Sequence, residues 1–449
     1  MDGKQTSWHD HEMGMESCAL AGAGSFVLGM TDTAVVVNGP LWCYYYAMGA
    51  IEYPMGNVGQ RFACTCPSNG AVVFGTEKEL RQTLNRALRS PELPALILVE
   101  NSCAISLIGD DIKGISREVL DDYFDENPDA EGLVRVVTMD SGGIQGNYWA
   151  GYRLGMGKVL EALPPLEIDR DPLTVNLIGC AFWYYNERAD IAEMKRILNL
   201  LGIKVNCIIG MDHPFRDLSG IGKAALNVVV HPELGLKGAE WLEKRYGIPY
   251  TAPRLPYGIA GTDAWVRTIA GCLLEQAGND EDAREKLREG LERWQAAIER
   301  ERLAVFDATK DLQRLWGDPW FAEVWMAGPG SVVTGMKVVL KAEWLDTDTL
   351  HFVYYDDFDY DDASLVSVHK EPLKPLTIPS PDRLVFGSGV ERRLVQQGGE
   401  QLTGSIPIAR PVSDSLNLDI TPFMGLKGNR AMLERIWNIY IFQKQADAL

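Results

Sequence analysis

Short runs of aliphatic and β-branched residues, each closed by glycine or a polar cluster, alternate along this chain with longer stretches at helical spacing. Ala34–Asn38, Leu96–Glu100 and Leu133–Val137 have the length and composition of buried parallel strands. Between them the spacing predicts a helix over 76–90, with Thr76 as its cap. The alternation resumes at Leu173, with strands over 175–179, 205–210 and 225–230 and a helix over 190–201. A further helix leads from His231-Pro-Glu-Leu-Gly to Lys244-Arg-Tyr-Gly. Residues 276–303 carry opposite charges at helical spacing and read as a solvated helix. Beyond them Ala304–Phe306, Ser331–Thr334 and Leu384–Gly389 are the expected strands of a third unit. Repeated strand–loop–helix units imply doubly wound parallel sheets, whose ligands gather outside the carboxyl ends of the strands.

Three cysteines stand beside such boundaries: Cys18 before Ala-Leu-Ala-Gly-Ala, Cys43 in Gly-Pro-Leu-Trp-Cys, and Cys103 in Cys-Ala-Ile-Ser-Leu-Ile-Gly-Asp-Asp. None belongs to a Cys-x-x-Cys pair, which argues against a zinc ribbon or a thioredoxin-type motif. Three thiolates delivered by three loops suit an iron–sulfur cluster, which is held by cysteine sulfur. A nucleotide site finds no support. Gly151–Lys158 has five residues between its glycines where a phosphate loop needs four, and Val159 follows the lysine where Ser or Thr is required.

Together these segments resemble the nitrogenase component 1 family, which includes nitrogenase catalytic subunits, their cofactor scaffold, and the dark-operative protochlorophyllide and Ni-sirohydrochlorin reductases. The likeness also takes in Val-Phe-Gly-x-x-x-x-Leu at 73–80 and Leu226 to Asp263, with Tyr-Gly-Ile-Pro-Tyr inside it. It reaches the C-terminal segment from Pro411, where Ser415 and Leu426 replace the arginine and tyrosine of relatives. The resemblance implies an α/β fold of three Rossmann-like doubly wound parallel-sheet domains around a central cavity: residues 1–168, 169–275 and 276–449. It implies that Cys18, Cys43 and Cys103 hold an iron–sulfur cluster at a subunit interface, of [4Fe–4S] or P-cluster-like [8Fe–7S] type. Cys64 and Cys66, where relatives usually have polar residues, and Cys180, which follows a strand, are candidate further ligands by their own positions. A second metal cluster in the central cavity is allowed. His231 falls near the position where the nitrogenase α subunit has its cofactor cysteine, and it is the candidate catalytic group, as iron ligand or proton donor. His213 is a more distant proton donor. The implied partners are a second copy or a paralogous subunit, in a dimer or heterotetramer, an ATP-hydrolysing iron protein of the nitrogenase-reductase type, and a small-molecule substrate.

The composition narrows this further. A 449-residue chain has room for about three domains. Its net charge of −19 argues against nucleic acid or an anionic membrane as partner and suits a protein with a basic face. The N-terminus lacks an apolar signal segment and no apolar run is long enough to cross a bilayer, so a cytoplasmic protein is expected. His9 and His11 read as part of a polar arm, Cys207 and Cys272 as core, and Asp356–Asp362 as an exposed acidic loop rather than a calcium site. The aromatic runs Trp42–Tyr46 and Phe182–Tyr185 serve either a pocket or packing. Two functions remain: the catalytic subunit of an ATP-dependent two-component reductase, or a scaffold on which an iron–sulfur cluster is assembled and passed on.

Overall fold

The structure is a computed structural model that describes residues 17–55, 58–68, 70–71, 75–163, 166, 168–368, 373–380, 382–397, 404–411 and 421–447. His9, His11, Val73, Phe74 and Ser415 lie outside the described residues.

The first unit runs α1 (Ala19–Leu28), β1 (Thr33–Asn38), α2 (Leu41–Met55), β2 (Phe62–Cys64), α3 (Glu77–Leu88), β3 (Leu96–Asn101), α4 (Cys103–Ile108), α5 (Ile112–Glu126), β4 (Arg135–Asp140) and α6 (Tyr148–Glu161). Its four strands lie in the order β2-β1-β3-β4, and every ladder is parallel. Strands β1 and β3 are buried at all positions, as expected of a parallel sheet covered on both faces. The strand expected over 133–137 is displaced to 135–140, because Leu133 closes the preceding turn on the Ala130 carbonyl and the ladder begins only at Arg135.

The second unit contains β5 (Asp171–Ile178), α7 (Glu187–Leu200), β6 (Lys204–Ile209), β7 (Ala224–Val229), α8 (Pro232–Tyr246), β8 (Tyr250–Thr251) and α9 (Gly258–Gln276), with a parallel sheet ordered β6-β5-β7-β8. Helix α10 (Glu281–Trp316) then runs for 36 residues. Asp280 caps it by accepting from the Ala283 N–H at 3.0 Å, and Gly317, at φ +75°, ends it.

The third unit follows with β9 (Trp320–Gly328), α11 (Gly330–Val339), β10 (Asp346–Tyr354), β11 (Leu365–Ser367), β12 (Arg383–Gly387), α12 (Gly389–Gln397), β13 (Ser405–Pro407) and α13 (Gly425–Asp447). Its parallel sheet is ordered β11-β10-β9-β12-β13.

Two strands expected here are helical. Ala304–Phe306 continues α10, where Phe306 is exposed and Lys310 and Arg314 pair with Asp307 and Asp311 one turn back, a solvated helix pattern carried past the expected end. Ser331–Thr334 forms the first turn of α11; the true strand is β9, just before it. One large core runs through all three units, and a smaller cluster fills the outer face of the first sheet under α3 and α5. Among the described residues no helix is long and apolar enough to cross a membrane.

Candidate functional site

In each sheet the strand order reverses once, and the crevice that opens beyond the strand ends is where open α/β sheets bind ligands. In the first sheet that point lies between β1 and β3. Cys43, in the first turn of α2, follows β1, and Cys103, the first residue of α4, follows β3. Cys18 caps α1, where the N–H groups of Ala21 and Leu20 favour its thiolate, and it bridges to Asn147 at the start of α6.

The structure brings these three thiols together. A β-carbon placed on Gly143 would lie 3.5 Å from Cys18 Cβ and 3.7 Å from Cys103 Sγ. One placed on Gly142 would lie 2.6 Å from the Cys103 backbone nitrogen, so only glycine fits between the loops. Cys43 feels the charges of both Cys18 and Cys103, and the Ser102 hydroxyl favours its thiolate. Burial pushes the Cys18 and Cys43 thiols up, and the mutual repulsion of the thiolates adds to it, so three thiolates together call for a compensating cation. Nearby, burial pushes the Glu100 carboxyl up to about 8, although the Ser141 hydroxyl donates to it at 2.7 Å.

The loop after Cys103 is held from two sides. Asp110 accepts from both the backbone N–H and the hydroxyl of Thr76 at 2.6 Å, and Asp111 caps α5 through the Gly114 N–H. Thr76 itself makes no side-chain cap; Asp110 takes over that role at the start of α3.

The face around the cysteines is apolar and open. Trp42 is 70% exposed, Tyr45 66%, Tyr46 65%, Leu107 78% and Ile144 65%, all on α2, α4 or the glycine turn after β4. Soluble proteins rarely leave such a patch uncovered unless it meets a partner. Among the described residues no three His, Cys, Asp or Glu side chains close around a single ion. The thiols are instead spread over one open side, with glycine in front of them, and soft sulfur donors in that arrangement fit a polynuclear iron–sulfur cluster completed from a second surface.

The other cysteines are elsewhere or otherwise engaged. Cys64 lies near Cys43 and Cys66, but its thiol donates to the Gly39 carbonyl, and burial, with Cys66 beside it, pushes it up to about 12. Cys66 is exposed, at φ +47°. Cys180 is fully buried after β5 and is not gathered with the three. Cys207 lies buried in β6 and Cys272 half-buried in α9.

His231 follows β7 at the switch point of the second sheet and reaches the switch point of the third, where Ser331 opens α11 after β9. It is completely buried and stacked 3.8 Å from the Tyr184 ring. Its Nδ1 lies 2.7 Å from Ser331 Oγ and its Nε2 3.1 Å from Glu187 Oε2. Glu233 Oε1 accepts from Ser331 at 2.6 Å and from Tyr184 at 2.7 Å. Burial opposes the charged ring, but Glu187 and Glu233 outweigh it and hold the His231 pKa above the usual histidine range. Burial and then Glu233 push Asp356 well above the carboxylate range.

Both ring nitrogens of His231 are therefore engaged, and its surroundings are carboxyls and phenols that hydrogen-bond one another. These residues do not fit the second metal cluster that the resemblance allows in the central cavity, and both nitrogens of His231 are taken up by Ser331 and Glu187. The acidic loop also differs from expectation. Asp356 is buried and accepts the Gly330 N–H at 2.6 Å, while Asp357 and Asp362 pair with Arg153 and Lys337. His213 sits apart, its carbonyl accepting the Thr31 N–H, with its pKa lowered by burial. Glu187, Glu233, Ser331 and Tyr360 escaped the sequence reading. The one available signal was Glu233, two positions after His231 at a strand end.

The profile of the nitrogenase component 1 type oxidoreductases matches residues 18–317. The chain is 26% identical to the nitrogenase molybdenum-iron protein alpha chain of Methanosarcina barkeri over 56% of its own length and 47% of that chain's. It is 29% identical to the nitrogenase iron-molybdenum cofactor biosynthesis protein NifE of Bradyrhizobium diazoefficiens, over 58% and 45%. It is 25% identical to a light-independent protochlorophyllide reductase subunit of Gloeothece citriformis, over 78% and 68%. The alignments to the first two relatives span about half of their length. The fold matches a solved structure of nitrogenase Cp1 at pH 6.5, with a TM-score of 0.71 and 15% identity over 96% of this chain and 93% of that one. With the profile covering Cys18, Cys43 and Cys103 and the fold shared almost end to end, the chain belongs to the nitrogenase component 1 type oxidoreductase family.

Proposed function

We propose that this chain is the iron–sulfur subunit of a two-component reductase, and that Cys18, Cys43 and Cys103 hold its cluster at an interface with a second subunit. The observation that carries the reading is the convergence of three thiols on an open face rimmed by Trp42, Tyr45, Tyr46, Leu107 and Ile144. A cluster bound there would supply one-electron transfer. The electrons come from an iron protein of the nitrogenase-reductase type, for whose basic docking face the net charge of −19 is suited. The chain's own residues do the rest: the glycines after β4 leave space, Ser102 and the first N–H groups of α1 favour thiolates, and the apolar rim excludes water once the partner is seated.

The likeness to a cofactor biosynthesis protein supports a second reading, a scaffold that builds a cluster and hands it on. Anaerobic purification with iron and sulfide analysis and EPR tests the site. Cys18→Ala, Cys43→Ala and Cys103→Ala are each expected to lose most of the iron and the cluster signal; full iron in all three variants refutes the assignment. Incubation of the loaded protein with an acceptor apoprotein separates the two roles, because a scaffold releases its cluster and a reductase retains it.

A further inference from the structure

The carboxyls around His231 have an unusual composition. Glu187, Glu233 and Asp356 are all buried, and among the described residues none pairs with a lysine or arginine through its side chain. Glu187 Oε1 and Glu233 Oε2 have no hydrogen-bond partner. With no lysine or arginine beside them, these buried carboxyls depend on the His231 ring, whose charged form Glu187 and Glu233 favour, and on shared protons.

The hydrogen-bond order shows where a proton is free to move. Ser331 has a single hydroxyl hydrogen and sits between His231 Nδ1, at 2.7 Å, and Glu233 Oε1, at 2.6 Å. In one order Nδ1–H donates to Ser331 and Ser331 donates to an ionised Glu233. In the other, a protonated Glu233 donates to Ser331 and Ser331 donates to Nδ1. The two orders differ only by a concerted shift of two hydrogens, with no heavy atom displaced. At the far side of the ring, Nε2 and Glu187 Oε2 share a further proton across 3.1 Å. Trp149 and Tyr184 fix the inner end: the indole N–H donates to the Tyr184 hydroxyl at 3.3 Å, and that hydroxyl donates to Glu233.

Ser331 also lines a cleft of about 230 Å³ between the second and third sheets, with Tyr360, Thr334, Arg254 and Leu255. Tyr360 faces Glu233 and Asp356 from that wall. The cleft is smaller than the roughly 300–1,000 Å³ of pockets for drug-sized ligands. We infer that Glu187, His231, Ser331 and Glu233 form a proton relay that opens, at the Ser331 hydroxyl, into a cleft for a small proton-accepting substrate. The relay moves protons only: Ser331 gives its hydrogen to the acceptor and regains one from Nδ1, and Nε2 takes the proton shared with Glu187. The substrate class implied is a small molecule. This deepens the reductase reading, and its test requires neither iron nor turnover, so the two fail separately.

The test is solvent exchange of the His231 ring proton, followed by NMR on full-length protein with ¹⁵N-labelled histidine. With 6 histidines in the chain, His231→Gln assigns the signal. The relay predicts that this fully buried ring proton exchanges much faster than the backbone amides of β7. Ser331→Ala is expected to slow it at least tenfold, and Ser331→Thr, which keeps a hydroxyl, to restore it. A rate unchanged in Ser331→Ala, or one equal to that of the β7 amides in the parent protein, overturns the relay. β7 amide exchange in each variant reports whether the fold is kept.

Discussion

Glu100, the last but one residue of β3, has one carboxylate oxygen on Ser141 and the other without a partner, and burial pushes its pKa from 4.5 to about 8. Between these values the unfolded chain has released a proton that the folded chain keeps, so stability falls as pH rises across that window and is level above it. Replacing the carboxyl by an amide removes this loss. Glu100→Gln is expected to be more stable than the parent by on the order of 3 kcal/mol at pH 8, and about equal to it near pH 4.5. Urea unfolding of the iron-free protein at several pH values measures the difference; a constant offset across pH would show that Glu100 is ionised throughout.

Helices α1 and α6 make the closest helix contact in the first unit, and two glycines permit it. A β-carbon on Gly22 would overlap the Tyr148 carbonyl, and one on Gly151 would overlap the Ala19 carbonyl. Gly151 and Gly155, in the stretch that superficially suggests a phosphate loop, therefore belong to a packing seam inside a helix, while Gly157 faces open space. Because α1 begins at Cys18 and α6 begins beside it at Asn147, the seam also sets the position of one cysteine. Gly151→Val forces the two backbones apart and is expected to cost about 3 kcal/mol or more. Thermal unfolding checks the stability, and iron content is expected to fall in parallel. At this scale the sequence pattern was a good guide to β1, β3, β5, β6 and β7, whose short runs rich in Val, Ile and Leu mark strands; β1, β3 and β7 are buried at every position. It failed at β9 and β10, whose mixed composition (Trp-Phe-Ala-Glu-Val and Asp-Thr-Asp-Thr-Leu) carries no such run.

In the molecule as a whole, the apolar rim and the net charge of −19 act in opposition: the rim favours association of two chains, while like charge resists it. Trp42→Glu sets a charge in the middle of the rim without touching the core. Light scattering behind size exclusion is expected to show a dimer in the parent and a 49.8 kDa monomer in the variant, with iron lost as the partner surface withdraws. A variant that remains dimeric with full iron would place the interface elsewhere.

The sequence alone determined the parallel α/β plan and the positions of Cys43 and Cys103 beyond the ends of β1 and β3, because strand burial and strand-end loops are local properties written in adjacent residues. His231 stood out only through the family resemblance, which sets it near the cofactor-cysteine position of the nitrogenase α subunit. What the sequence could not contain was the company each residue keeps. Glu187, His231 and Ser331 come from three segments up to 144 positions apart, as Glu187 and Ser331 differ by 331 − 187, and they meet only because two sheets turn their switch points toward each other. The same packing encloses Asp356, which its acidic neighbours had suggested was exposed, and occupies both nitrogens of His231. Hydrogen-bond partners and burial are set by the distance between elements in space, and sequence separation says nothing about that distance until the sheets have packed.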